Sequence, residues 1–95
     1  MMAFYVYIMT NKRYGVLYTG MTDDIKARAW MHREHVLRGF TDTYNCEMLV
    51  WYEVHDSRES AFVRERRIKD WKRAWKIKLI EDMNPRWQDL ASERI

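Results

Sequence analysis

Ala3 to Met9, AFYVYIM, is an unbroken run of apolar and aromatic residues. A run of that length rich in Tyr, Val and Ile reads as a strand buried on both faces, because a half-exposed strand would alternate with polar residues. Such a strand needs cover on each side. A chain of 95 residues has room to supply it within one compact domain, 1–95. Two neighbours are at hand. Thr10 to Gly15 is a polar turn, and Val16 to Met21, VLYTGM, follows it as a second short strand. The pair predicts an antiparallel hairpin with a long loop. Met48 to Val54, MLVWYEV, predicts a third strand.

The covering layers are helical. Thr22 or Asp23 can cap a helix beginning near Asp24. Ile25, Ala29, His32 and Val36 then share one face of a 3.6-residue period, and Gly39 ends the helix. Phe40 to Cys46 reads as a loop. Asp56 and Glu59 stand at N-cap and N3 spacing. A long helix follows from about Arg58 towards Met83, with a break expected near Arg73 to Lys76, and Asn84-Pro85 stops it. The order β-β-α-β-α-(α) predicts a small α+β domain, a three-stranded antiparallel sheet flanked by helices.

Cysteine usage narrows the chemistry. Cys46 is the one cysteine, which excludes an internal disulfide framework and a Cys-rich zinc site. A reducing cytoplasm is the expected compartment. The leading apolar run, Met1 to Met9, lacks a basic region before it and is too short to span a bilayer, so neither export nor a membrane partner is expected. Charge is uneven. Between Arg64 and Lys78 stand eight basic residues and two acidic ones, while the whole chain carries only +3. Arg66, Lys69, Arg73 and Lys76 recur at helical spacing and would form one basic stripe. It reads as a track for a phosphate backbone or as a solvated helix face.

Three features depart from ordinary packing patterns. Glu65 lies in the apolar stripe formed by Ala61, Ile68, Trp71 and Trp75. A carboxylate aimed at a core costs free energy unless it is paired or binds metal. The alternative is an edge glutamate paired with Lys69 at i+4. Alternation places Tyr5 and Tyr7 on one strand face, and Tyr18 on the face of Gly20. A strand glycine often marks close approach by another group, although most strand tyrosines only pack. Arg28, His32 and His35 share a helix face. Arg28 there could clamp a phosphate, or the face could simply be solvated.

Together these residues resemble the GIY-YIG nucleases. VYI (Val6 to Ile8) and YTG (Tyr18 to Gly20) match the two name-giving elements, Arg28 follows the second tyrosine by ten residues, Glu65 lies on the helix after the third strand, and Asn84 comes later. AFVRERRIKDW (Ala61 to Trp71) and MNPRWQDL (Met83 to Leu90) are similar to segments of the small standalone bacterial proteins of this superfamily. A likeness extends to the N-terminal domain of the excision-repair incision subunit. Tyr5 precedes Val6-Tyr7 where the family has glycine, and Thr19 occupies the middle of the second element; both tyrosines and Gly20 are kept.

The resemblance implies a metal-dependent endonuclease that hydrolyses a DNA phosphodiester bond, in repair or processing. Glu65 would hold one divalent cation, Mg²⁺ or Mn²⁺. Tyr18 would be the general base, its phenolate form favoured by Arg28 and the cation, and Arg28 would bind the phosphate. Tyr7 would position the water or Tyr18, His32 would assist at phosphate or water, and Asn84 would fix the helix end or contact substrate. DNA and RNA are not distinguished. The chain has no room for a separate DNA-binding domain, so a partner protein or a second copy would strengthen binding. Two other readings are a nucleic-acid-binding module without catalysis and a protein-interaction domain presenting Trp71, Trp75 or Trp87.

Overall fold

The computed structural model describes residues 3–93, so Met1 and Met2 of the leading run lie outside it. The elements are β1 (Phe4–Thr10), β2 (Leu17–Thr22), α1 (Ile25–Arg33), α2 (Phe40–Thr43), β3 (Met48–His55), α3 (Arg58–Asp70), α4 (Arg73–Met83) and α5 (Leu90–Glu93). The strands form one antiparallel sheet in the order β2-β1-β3. The double-sided strand β1 is therefore central, as its composition requires. Val6 and Ile8 point into a core with Val50, Trp51, Ala61, Ile68, Ile80 and Trp87. Tyr7 and Met9 point the other way, with Ile25, Ala29, Cys46, Leu49 and Leu90. Helices cover both faces: α3 and α4 on the first, α1 and α5 on the second.

Pairing places Tyr7 opposite Gly20 and Met9 opposite Tyr18. Both tyrosines thus share the α1 face. The β1–β3 ladder slips between Ile8 and Met9, which pair with Trp51 and Leu49. Val50 is the extra residue of this bulge, so Val50 and Trp51 both join the α3 side.

Several boundaries differ from the sequence expectations, each for a local reason. Helix α1 is capped by Asp24, whose side chain accepts from Ala27 N, while Thr22 Oγ1 accepts from Asp24 N. It ends at Arg33 rather than Gly39. His35 takes the left-handed position after the helix at φ 57°, with His35 N bonded to His32 O and Val36 N to Met31 O, the bond pattern of a Schellman terminus. The cost of that conformation is met by the ring, clamped between Asp42 and Glu47. Val36 is consequently exposed and outside the core, and His35 is off the Arg28–His32 face. Phe40–Thr43 is a short helix, not loop. Ser57, not Asp56, caps α3 by accepting from Ser60 N. The long helix breaks earlier than expected: Trp71 and Lys72 are extended, and α4 restarts at Arg73. This turn lets Ile80 and Trp87 reach the core, and it leaves Trp75 exposed rather than on the α3 stripe. Among the described residues no helix is long and apolar enough to cross a membrane.

Candidate active site

Gly20 explains how the two hairpin tyrosines come together. A Cβ there would lie 2.6 Å from the Tyr7 hydroxyl and 2.7 Å from its Cζ, so the Tyr7 ring occupies the space a side chain would fill. The ring is 1% exposed and its hydroxyl is 2.9 Å from His32 Nε2. Thr41, from α2, meets the other imidazole nitrogen at 2.9 Å. A neutral imidazole offers one donor and one acceptor, and the chain is satisfied when Tyr7 O–H donates to Nε2 and Nδ1–H donates to Thr41 Oγ1. Burial and the nearby Arg28 guanidinium push the His32 pKa down to about 4, which keeps the ring neutral near pH 7.

The Tyr7 phenol responds to everything around it. Burial raises its pKa well above the ordinary tyrosine range, Tyr18 adds to that, Arg28 beside it opposes, and the Glu65 carboxylate raises it further. Tyr7 therefore stays protonated and closed to solvent. Tyr18 is different. It is only half-buried, lies with its ring 6.3 Å from Tyr7 and 5.6 Å from His32, and stacks at 6.0 Å on the exposed Phe40. Of the two phenols, Tyr18 is the one a substrate can touch.

Glu65 comes from α3, on the other side of the sheet from α1. It is 9% exposed, so the sequence anomaly is real, and Lys69 is also at its side, 3.4 Å away. Glu65 is thus buried in the apolar stripe and paired with Lys69 at i+4. Its influence on Tyr7 is a field effect from across β1 and β2, on which α3 packs. Among the described residues no three His, Cys, Asp or Glu side chains converge, so no all-protein metal cage exists. A single carboxylate with one long ion-pair contact suits Mg²⁺, which retains waters and takes phosphate oxygens as ligands.

The remaining expected residues divide clearly. His32, expected to assist at phosphate or water, has both nitrogens engaged inside the protein, one of them with Tyr7, and is 2% exposed. Asn84 donates to Val50 O and Gln88 O and accepts from Gln88 N, so its side chain ties the end of α4 to β3. The four basic residues do not form one helical stripe, because α3 ends between Lys69 and Arg73. Arg66 lies over the Phe62 ring, and Arg73 donates to the carbonyls of Tyr14 and Gly15 at the hairpin tip. Lys76 donates to Lys69 O. Thr41 and Phe40 were not foreseen as site residues. Both sit on a four-residue helix with no periodic signal, so no sequence pattern marked them.

The hairpin tyrosines, helix arginine and α3 glutamate define the class. Residues 3–78 match the family model described as the GIY-YIG catalytic domain, and the chain belongs to that family of nucleases. Its relatives within the family are small standalone proteins. It is 37% identical to a UPF0213 protein of Staphylococcus haemolyticus over 82% of this chain and 94% of that one. It is 36% identical to a UPF0213 protein of Staphylococcus saprophyticus, with the same coverage. The solution NMR structure of a UPF0213 protein from Bacillus halodurans shares the fold with a TM-score of 0.58 and 26% identity, over 98% of both chains.

Proposed function

We propose that this protein is a metal-dependent endonuclease that hydrolyses phosphodiester bonds in DNA, in repair or another processing step. The observation that carries the reading is the convergence of Tyr7, Tyr18, Arg28 and His32 over the side-chain-free Gly20, within the field of Glu65. Tyr18 is the accessible phenol and acts as general base in its phenolate form: its oxygen takes the proton of the attacking water as the water oxygen bonds to phosphorus and the bond to the 3′ oxygen breaks, the leaving oxygen taking its proton from solvent. Arg28 binds the phosphate oxygens, on which charge builds as the reaction proceeds. Tyr7 stays protonated and holds the Tyr18 side of the site in place through the His32–Thr41 chain. Glu65 would hold one divalent cation, Mg²⁺ or Mn²⁺, which supplies charge neutralisation at the phosphate and the leaving oxygen.

Nicking of supercoiled plasmid and of labelled duplex, flap, junction and single-stranded oligonucleotides tests the reading. Activity should require Mg²⁺ or Mn²⁺. Glu65→Gln should abolish it with an unchanged circular dichroism spectrum, and Tyr18→Phe should lower it by about 10²- to 10⁴-fold, the usual worth of a positioned general base. Cutting by Glu65→Gln at the wild-type rate would sink the assignment.

A further inference from the structure

The hairpin tip and the start of α4 flank an open cleft with no role in the chemistry above. Asn11, Lys12, Arg73 and Lys76 line it, and no carboxylate is among its lining residues. Its walls are fixed. Arg73 Nη2 is 2.6 Å from both the Tyr14 and the Gly15 carbonyl oxygens, tying the tip to α4. Tyr14, in the left-handed region at φ 59°, donates through its hydroxyl to Glu81, which also accepts from Trp87 Nε1. Gly15 sits so tightly in the turn that a Cβ would lie 2.0 Å from Asn11 Oδ1. That oxygen accepts from Val16 N, so the amide nitrogen of Asn11 is the group left to face outward.

The cleft therefore presents donors and positive charge on a rigid frame. Arg73 has spent one guanidinium nitrogen on the two carbonyls and keeps the others; Lys12, Lys76 and the Asn11 amide add to them. It lies across the edge strand β2 from Tyr18: Leu17 in its wall directly precedes Tyr18 and packs on the opposite, α3, side of the sheet. Lys76 reaches Lys69 O, and Lys69 in turn lies against Glu65.

We infer that this cleft is a second phosphate site, which grips the sugar-phosphate backbone of the substrate next to the bond that Tyr18 and Glu65 address. The inference rests on the nuclease reading and adds to it where the strand runs: past the hairpin tip and over the start of α4. Counting cations gives its test. Each phosphate neutralised by a lysine or arginine steepens the dependence of log K on log salt by about 0.9 on duplex DNA and about 0.7 on single strands.

Binding is read by fluorescence anisotropy of labelled duplex and single-stranded oligonucleotides, in EDTA, with the Glu65→Gln protein as the parent so that cutting plays no part. Adding Lys12→Gln and Lys76→Gln to that parent should flatten the duplex slope by about 1.8. Arginine at both positions should restore it. In the cleaving protein the same pair of glutamines should raise KM and leave kcat in place. A slope and Kd unchanged by the glutamines would overturn the inference while leaving nicking intact. Equal binding of an oligoglutamate of matched charge would also overturn it, since the cleft would then be a protein-docking surface. Absence of any oligonucleotide binding at low salt would overturn the nuclease reading along with it.

Discussion

His32 makes acid stability a direct probe of the site's interior. In the unfolded chain a histidine titrates near 6.5, whereas in the folded protein burial and Arg28 bring His32 down to about 4. Between those values the unfolded chain binds a proton that the folded one refuses. His32 therefore imposes no penalty above pH 6.5, and the fold loses stability as pH falls from there towards 4. The gap between 6.5 and 4 corresponds to about 3 kcal/mol, of which about 2.5 kcal/mol has gone by about pH 4.5. That is a large share of the ~5–15 kcal/mol available to a typical domain.

Urea denaturation followed by tryptophan fluorescence across this pH range measures it. Carboxylates contribute too: Glu81, held low by hydrogen bonds from Trp87 and Tyr14, loses its stabilising effect as pH falls through its folded pKa. The comparison is therefore with His32→Gln, which retains an amide to meet Tyr7 and has no proton to gain. The two profiles should run parallel above pH 6.5 and diverge below it, the wild type falling by the extra amount. His35 does not confuse the comparison. Its pKa is raised by Glu47 and Asp42, so its contribution is fully present below the unfolded value and is lost only as pH rises through the higher folded one. Parallel profiles down to pH 4.5, or an NMR titration of the His32 ring near the unfolded value, would refute the claim that the Tyr7–His32–Thr41 chain is closed and neutral.

Two substitutions separate site geometry from scaffold. Gly20→Ala places a methyl group 2.6 Å from a Tyr7 hydroxyl that His32 pins in place, so the strand or the ring must shift; about 1–3 kcal/mol of stability and most of the nicking rate should be lost. Wild-type activity in this variant would show that the close packing of Tyr7 is immaterial. Asn84→Ala strands the Val50 carbonyl and the Gln88 backbone, and should cost about 2–4 kcal/mol in thermal or urea unfolding. Below its melting temperature that variant should keep its kcat, because the Asn84 side chain is committed to the fold; a lowered kcat with an unshifted melting temperature would return Asn84 to the substrate.

How much of this was legible in the sequence follows the range of each interaction. The central strand could be read from AFYVYIM because burial on two faces leaves no room for polar alternation. The hairpin and the third strand followed from the same reasoning, as did the shared face of Tyr18 and Gly20; the register that sets Tyr7 opposite Gly20 did not. What could not be read were the places where a single side chain overrides a periodic pattern. Val36 continues the apolar face of α1 on paper, but His35 terminates the helix because two distant carboxylates hold its ring. The basic stripe is regular in sequence, yet Trp71 and Lys72 go extended and divide it. Arg73 is then claimed by backbone carbonyls 58 and 59 positions away, a contact no local rule anticipates.

The exceptions that did register carry more weight than the regularities. A glycine inside a strand, a histidine on a core face and a glutamate in an apolar stripe are each unfavourable choices for a domain of this size, which has little stability to spare. Taken singly, each has an ordinary explanation. In the fold, Gly20 makes room for the Tyr7 hydroxyl, His32 bonds that hydroxyl, and Glu65 acts on it electrostatically. Two of these breaches, on a strand and on the helix covering it, meet at one oxygen atom, and the third bears on it electrostatically from the opposite face, which would not be expected if they served only the fold. They are expected to do so where local rules yield to a functional site.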